Sequence, residues 1–174
     1  MATNAFGIDL GTNNIKIYSR SDDSILVEKN MIAIENKNTL FAYGDSAFEM
    51  YEKAPGNIHI SYPLSNGVIA DINNMETLIR YFISDLQKGN SKPADFLIAV
   101  PTDVTEVEKR AFYDLIRDAG VKAKKIMVVE KAGALKCRNP RLHLPTGITL
   151  RLSLSFPSAR RRNARKHILR LPLG

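Results

Sequence analysis

Apolar positions fall into short alternating runs early in the chain and into helical stripes further on. Phe6-Gly7-Ile8-Asp9-Leu10 and Ile15-Lys16-Ile17-Tyr18 flank Gly11-Thr12-Asn13-Asn14. Strand, Gly/Asn turn and strand predict a hairpin. Ile25 to Val27, Met31 to Ile34 and Leu40 to Tyr43 are further strand candidates, and Gly44 to Tyr51 reads as a short helix before the turn Pro55-Gly56-Asn57. From Asn73, the positions Met75, Leu78, Ile79, Phe82, Ile83 and Leu86 draw one stripe on a 3.6-residue period, with Asn73 and Glu76 as a candidate capping box. A second helix opens on the box Thr105-Glu106-Val107-Glu108. It carries Val107, Ala111, Phe112, Leu115, Ile116 and Ala119, and Gly120 follows as its terminator. Phe96 to Val100 and Ile126 to Val129 are apolar on both faces, as interior strands covered by helices are. This order predicts an α/β fold with a mixed sheet.

Charge divides the chain where the pattern fades. Residues 1–131 hold 15 Lys and Arg against all 18 Asp and Glu, a net of −3; residues 132–174 hold 10 Lys and Arg and no acid, a net of +10. Asymmetry of this kind marks a boundary near Lys131, with 1–131 as the folded unit and 132–174 as a mostly irregular basic tail. Within the tail, Thr149 to Phe156 alternates like a strand, whereas Ser158 to Arg170 is Arg-rich and aperiodic. No run approaches the roughly 20 apolar residues that span a bilayer. The N-terminus lacks the basic and apolar regions of a secretion signal. The single cysteine, Cys137, precludes an internal disulfide and fits a reducing cytoplasm.

Candidate chemistry concentrates in Asp9-Leu10-Gly11-Thr12-Asn13-Asn14. In a tight turn, the amides of Gly11, Thr12 and Asn13 can face one concavity and bind phosphate oxygens. Asp9, on the preceding strand, can hold Mg²⁺ through water. A plain hairpin turn with a solvated Asp fits the turn chemistry equally well. His59, His143 and His167 lack metal-ligand spacing. Glu106 and Glu108 suit a helix N-terminus better than a catalytic pair. Tyr62, Tyr81 and Tyr113 do not interleave with basic residues, so no nucleic-acid stacking is expected.

The loop resembles the first phosphate loop of actins, sugar kinases and heat-shock chaperones. Within that superfamily, Ala54-Pro55-Gly56-Asn57-Ile58, then Tyr62-Pro63-Leu64-Ser65-Asn66-Gly67-Val68-Ile69-Ala70-Asp71, resemble segments of the rod-shape-determining MreB family of bacterial actin homologues. Val100-Pro101 through Thr105-Glu106-Val107-Glu108-Lys109-Arg110-Ala111 resembles that family's strand-to-helix segment. The resemblance covers residues 5–131. It implies the N-terminal part of an actin-like (ribonuclease H-like) domain, truncated, with residues of about 30–70 as the small outer subdomain. It further implies ATP contacts from Gly11, Thr12, Asn13 and Asn14, and Mg²⁺ beside Asp9. In intact form the family polymerises with ATP into filaments at the inner face of the cytoplasmic membrane and guides cell-wall synthesis, so a cytoplasmic, membrane-peripheral location is expected.

The departures bear on activity. The family follows its strand near residue 130 with "E-E-P-x-A-A-A-I-G-A-G", whose second Glu is implicated in orienting the attacking water. Here Val129-Glu130-Lys131-Ala132 puts Lys131 at that place. A lysine cannot act as that carboxylate, so the resemblance does not carry hydrolysis over. The second phosphate loop, "D-x-G-x-x-T-T-E", is due where residues 150–165 hold no acid. ATP affinity is therefore expected to be weak or lost, and the tail reads as an out-of-frame continuation. Two other functions compete: a sugar-kinase-like enzyme using the same loop, and a small basic module binding nucleic acid or anionic lipid through Arg160-Arg161-Arg162.

Overall fold

The computed structural model describes residues 4–36, 39–89 and 92–131, together with the backbone of three short strands beyond. The strands are β1 (Ala5–Leu10), β2 (Asn14–Ser19), β3 (Ser24–Lys29), β4 (Ile32–Glu35), β5 (Thr39–Tyr43), β6 (Ile58–Ser61), β7 (Leu64–Ser65), β8 (Val68–Ile69), β9 (Ala94–Val100), β10 (Ala123–Glu130), β11 (Leu142–His143), β12 (Thr149–Leu150) and β13 (Arg160–Arg162). The helices are α1 (Asp45–Glu49), α2 (Ile72–Leu86) and α3 (Glu106–Asp118).

The main sheet runs β10-β9-β1-β2-β3-β13. Pairing of β1 with β2 and of β2 with β3 is antiparallel, whereas β1, β9 and β10 are parallel to one another. The mixed sheet expected from the sequence is present. Parallel neighbours need a crossover, and α2 and α3 supply the two that lead into β9 and β10. A second antiparallel sheet, β5-β4-β6, lies within the 30–70 region and has its own small cluster of Met31, Ala33, Ala42 and Ala47.

The α2 stripe packs as its spacing predicts: Met75, Leu78, Ile79, Phe82, Ile83 and Leu86 are all buried, among Phe6, Ile8, Ile15, Ile17, Phe96 and Ile98. Burial of such side chains contributes about 1.5–3 kcal/mol each, together far more than a cap. The cap itself differs from the expectation. Asp71, not Asn73, starts α2, accepting the Asn74 amide at 3.0 Å on Oδ1. At α3 the capping box forms as read, Thr105 accepting from the Glu108 amide at 3.2 Å while Glu108 Oε2 accepts from the Thr105 amide at 2.6 Å. Gly120 takes φ +75°, the left-handed value a helix terminator needs.

Three further expectations are corrected. Val107 lies in the first turn of α3 and is 80% exposed, on the face turned from the sheet. Ile126 to Val129 is not an interior strand. Among the described residues β10 has β9 on one side only and stays half-buried, with Ile126 and Val128 against the core. Arg160–Arg162, placed in the irregular tail, pairs parallel with β3, whose outer edge would otherwise present unpaired backbone groups. Beyond Thr149–Leu150, the expected strand to Phe156 lies outside the described residues, as do His167 and Cys137.

Candidate phosphate-binding site

Three parallel strands deliver their carboxyl ends to one edge of the sheet. Asp9, Ala99 and Val129 share a row across β1, β9 and β10, and the chain leaves these strands through Gly11, Pro101 and Lys131. That edge is where ligands of open α/β sheets bind, because the loops there converge.

The hairpin loop between β1 and β2 closes through the Gly11 amide, which donates to the Asn14 carbonyl at 3.2 Å. A Cβ on Gly11 would sit 2.6 Å from that carbonyl oxygen, so glycine is required here by contact. The same bond corrects one expectation. The Gly11 amide is engaged within the turn and does not join the set facing outward. The amides of Thr12 and Asn13 meet no acceptor among the described residues, and both residues are exposed.

The loop is held from behind by a residue the sequence reading passed over. Asn30, fully buried, donates from Nδ2 to the Thr12 carbonyl at 2.8 Å and to the Leu64 carbonyl at 2.6 Å. Its own amide donates to the Asn13 carbonyl at 3.1 Å. A trans peptide is planar with its C=O and N–H opposed. Pinning the Thr12 carbonyl to Asn30 therefore aims the Asn13 N–H away from the core. In this way Asn30 turns one backbone donor of an ordinary hairpin loop away from the core. Nothing in the local sequence announced it. Asn14, the fourth loop residue, opens β2 opposite Lys29.

Asp9 lies directly beneath. Its Oδ2 is 3.9 Å from Lys16 Nζ, the residue opposite it in the hairpin register. Its Oδ1 is buried and lacks an aligned hydrogen-bond donor, but stands 2.8 Å from Lys131 Nζ as an ion pair. Lys131 Nζ also reaches the Leu10 carbonyl at 3.4 Å. The preceding carboxylate points elsewhere: Glu130 Oε1 pairs with Lys109 Nζ at 2.8 Å, and Lys109 also holds Glu106 at 2.7 Å. Hydrogen bonds to Glu106 and Glu130 keep the Lys109 ammonium well above its ordinary pKa. Glu130 thus serves to dock α3 on β10.

The residues fit nucleotide phosphates. They offer exposed amides, a glycine permitting close approach, and two ammonium groups nearby. They do not fit Mg²⁺ at Asp9. A hydrated divalent ion needs open carboxylate oxygen, and each oxygen of Asp9 already has a lysine beside it.

The profile of the family described as MreB/Mbl protein matches residues 3–141, extending past the boundary drawn at Lys131. The cell shape-determining protein Mbl of Bacillus cereus is 39% identical over 119 residues, covering 67% of this chain and 35% of that protein. The cell shape-determining protein MreB of Escherichia coli is 32% identical over 138 residues, covering 75% of this chain and 39% of its own length. The chain thus spans little more than a third of these relatives. Among solved structures, MreB5 of Spiroplasma citri bound to ADP superposes with a TM-score of 0.66 at 32% identity, covering 75% of this chain and 39% of that one. A MamK double helical filament gives 0.60 at 20% identity, covering 72% and 41%, a likeness of fold alone.

Proposed function

Because this chain belongs to the MreB/Mbl protein family, we propose that it is the N-terminal, phosphate-binding portion of an actin-like cytoskeletal protein that controls cell shape. In this reading Gly11, Thr12, Asn13 and Asn14 bind the phosphates of ATP or ADP, and Asp9 organises the cations beneath them. The intact protein self-associates into filaments at the inner face of the cytoplasmic membrane and works with the cell-wall synthesis machinery. The observation that carries the reading is the Asn13 amide, turned from the core because Asn30 holds the Thr12 carbonyl, beside the exposed Thr12. The S. citri MreB5 structures, bound to ADP and to AMPPNP, support it by likeness. The family match favours it over the sugar-kinase-like enzyme and the basic nucleic-acid or lipid-binding module. No described helix is long and apolar enough to cross a membrane.

Chemistry at the loop is binding and orientation. The nucleotide would bring the γ-phosphoryl bond, and the chain's amides would hold its oxygens in place. No hydrolytic step is assigned, since Lys131 and the Lys109-bound Glu130 supply no carboxylate for water. One phosphate turn gives a weak site, with a Kd of hundreds of micromolar, roughly 5 kcal/mol. Titration by NMR with ATP, ADP and AMP tests the reading. The loop should respond to ATP and ADP and hardly to AMP. Equal response to all three, or none at millimolar ATP, would reject it.

A further inference from the structure

We propose that Lys131 is a built-in counter-cation for the phosphate loop, so that this chain binds nucleotide phosphates without a divalent metal. The proposal rests on the nucleotide-binding reading above and adds to it the cation that accompanies the phosphates. Lys131 Nζ lies 2.8 Å from Asp9 Oδ1 and 3.4 Å from the Leu10 carbonyl, at the base of the loop.

The placement follows from the topology. β10 is two strands from β1, and both run parallel through β9 with a common row at Asp9, Ala99 and Val129. The residue just past the end of β10 therefore emerges beside the start of the loop. A lysine there has the reach to cross the end of β9, and 121 positions of sequence separation collapse to one contact.

Charge argues the same way. Lys16 stands 3.9 Å from Oδ2, so the carboxylate is flanked by an ammonium on each oxygen. A dication approaching Asp9 would meet two like charges and no open ligand. An ammonium carries three donors and no acceptor. Lys131 donates one, to the Leu10 carbonyl, and pairs with Asp9 by charge, which leaves capacity for a phosphate oxygen, and lysine is an established phosphate ligand as a point charge.

The test compares the full chain with Lys131→Gln, measuring ATP affinity in EDTA and in millimolar Mg²⁺. Wild type should bind equally in both, within about twofold. Lys131→Gln should lose about tenfold in EDTA, the size of one charge-assisted hydrogen bond, and recover part of it with Mg²⁺. A wild-type affinity that rises tenfold with Mg²⁺, or a variant indistinguishable from wild type, overturns the proposal while leaving nucleotide binding intact. A second readout needs no nucleotide. In a double-mutant cycle of Asp9→Asn and Lys131→Gln, urea midpoints should be non-additive, and strict additivity also overturns it. If coupling is present but no form binds ATP, the nucleotide reading fails and takes this proposal with it.

Discussion

Replacing Asn30 probes the device that makes the loop face outward. Asn30→Ala removes the donor to two carbonyls, that of Leu64 in a fully buried bond of 2.6 Å and that of Thr12 in a partly buried one of 2.8 Å. A buried acceptor left unpaired costs about 1–3 kcal/mol, and the partly wetted one about half as much. One relief offsets this. Asn30 Oδ1 is itself buried with no partner, and its removal returns about 1 kcal/mol. The net loss is about 1–3 kcal/mol, and 2 kcal/mol lowers the thermal midpoint of a chain this size by about 4–8 °C. Asn30→Asp should be worse than the alanine. It puts a carboxylate of nearly the same shape against two carbonyl oxygens, with a charge to bury and nothing to donate. Urea denaturation of the three proteins gives the comparison, and an unchanged m-value shows that the same surface unfolds. A loss under about 0.5 kcal/mol for the alanine, within ordinary surface variation, would refute the reasoning. So would an aspartate as stable as the alanine.

Gly11→Ala should weaken both stability and ATP binding, because its Cβ meets the Asn14 carbonyl 2.6 Å away; calorimetry and NMR titration read the two effects, and an unchanged ATP response would contradict the close-approach argument. Thr105→Ala should cost about 1 kcal/mol through the lost capping box of α3, read by urea denaturation, with Thr105→Asp close to wild type. Tyr43 gives a pH dependence: burial first, then the Asp85 charge and its hydrogen bond at 3.0 Å, raise its pKa above the ordinary 10.0. The folded state keeps a proton that the unfolded chain releases, so stability is complete below pH 10 and falls as pH rises beyond it. Tyr43→Phe should flatten that fall in denaturation series taken from pH 8 to 11.

The fold was legible where one physical rule governed a segment. The α2 stripe was readable because six apolar residues at helical spacing leave no competing arrangement. The α3 capping box was readable because both of its hydrogen bonds are local. Errors arose where two rules gave rival answers. Asp71 and Asn73 are both cap residues, and the choice between them depends on Pro63, whose carbonyl accepts the Ala70 and Asp71 amides and so fixes the chain's entry into α2. Val107 satisfied the helical period but lies in the first turn of α3, on the face turned from the sheet, and is left exposed. For β10, composition could not distinguish an interior strand from an edge strand. One signal went unread: Asn66-Gly67, both at positive φ, is the dipeptide that a two-residue hairpin turn demands, and it joins β7 to β8.

The site was legible by the same measure. The loop from Asp9 to Asn14 could be found because turn chemistry is local, and Lys16 follows once the hairpin register pairs it with Asp9. Asn30 and Lys131 could not, because each acts from another strand's end. Lys131 shows what this changes. In sequence it stands where the family pattern has a carboxylate, and the substitution reads only as a lost function. In the fold the same side chain closes on Asp9 at 2.8 Å, placing a cation beneath the phosphate loop. A single charge reversal therefore has two consequences that sequence presents as one. By the resemblance it takes an acid from the place of the attacking water, and in the fold it gives the Asp9 carboxylate a cationic partner. The two effects separate physically because the first depends on what Lys131 cannot accept, and the second on what it donates. Lys131→Gln removes the donated charge without restoring the acid, so ATP binding should become dependent on Mg²⁺ while any ATP hydrolysis stays unchanged; a rise in hydrolysis would refute this separation.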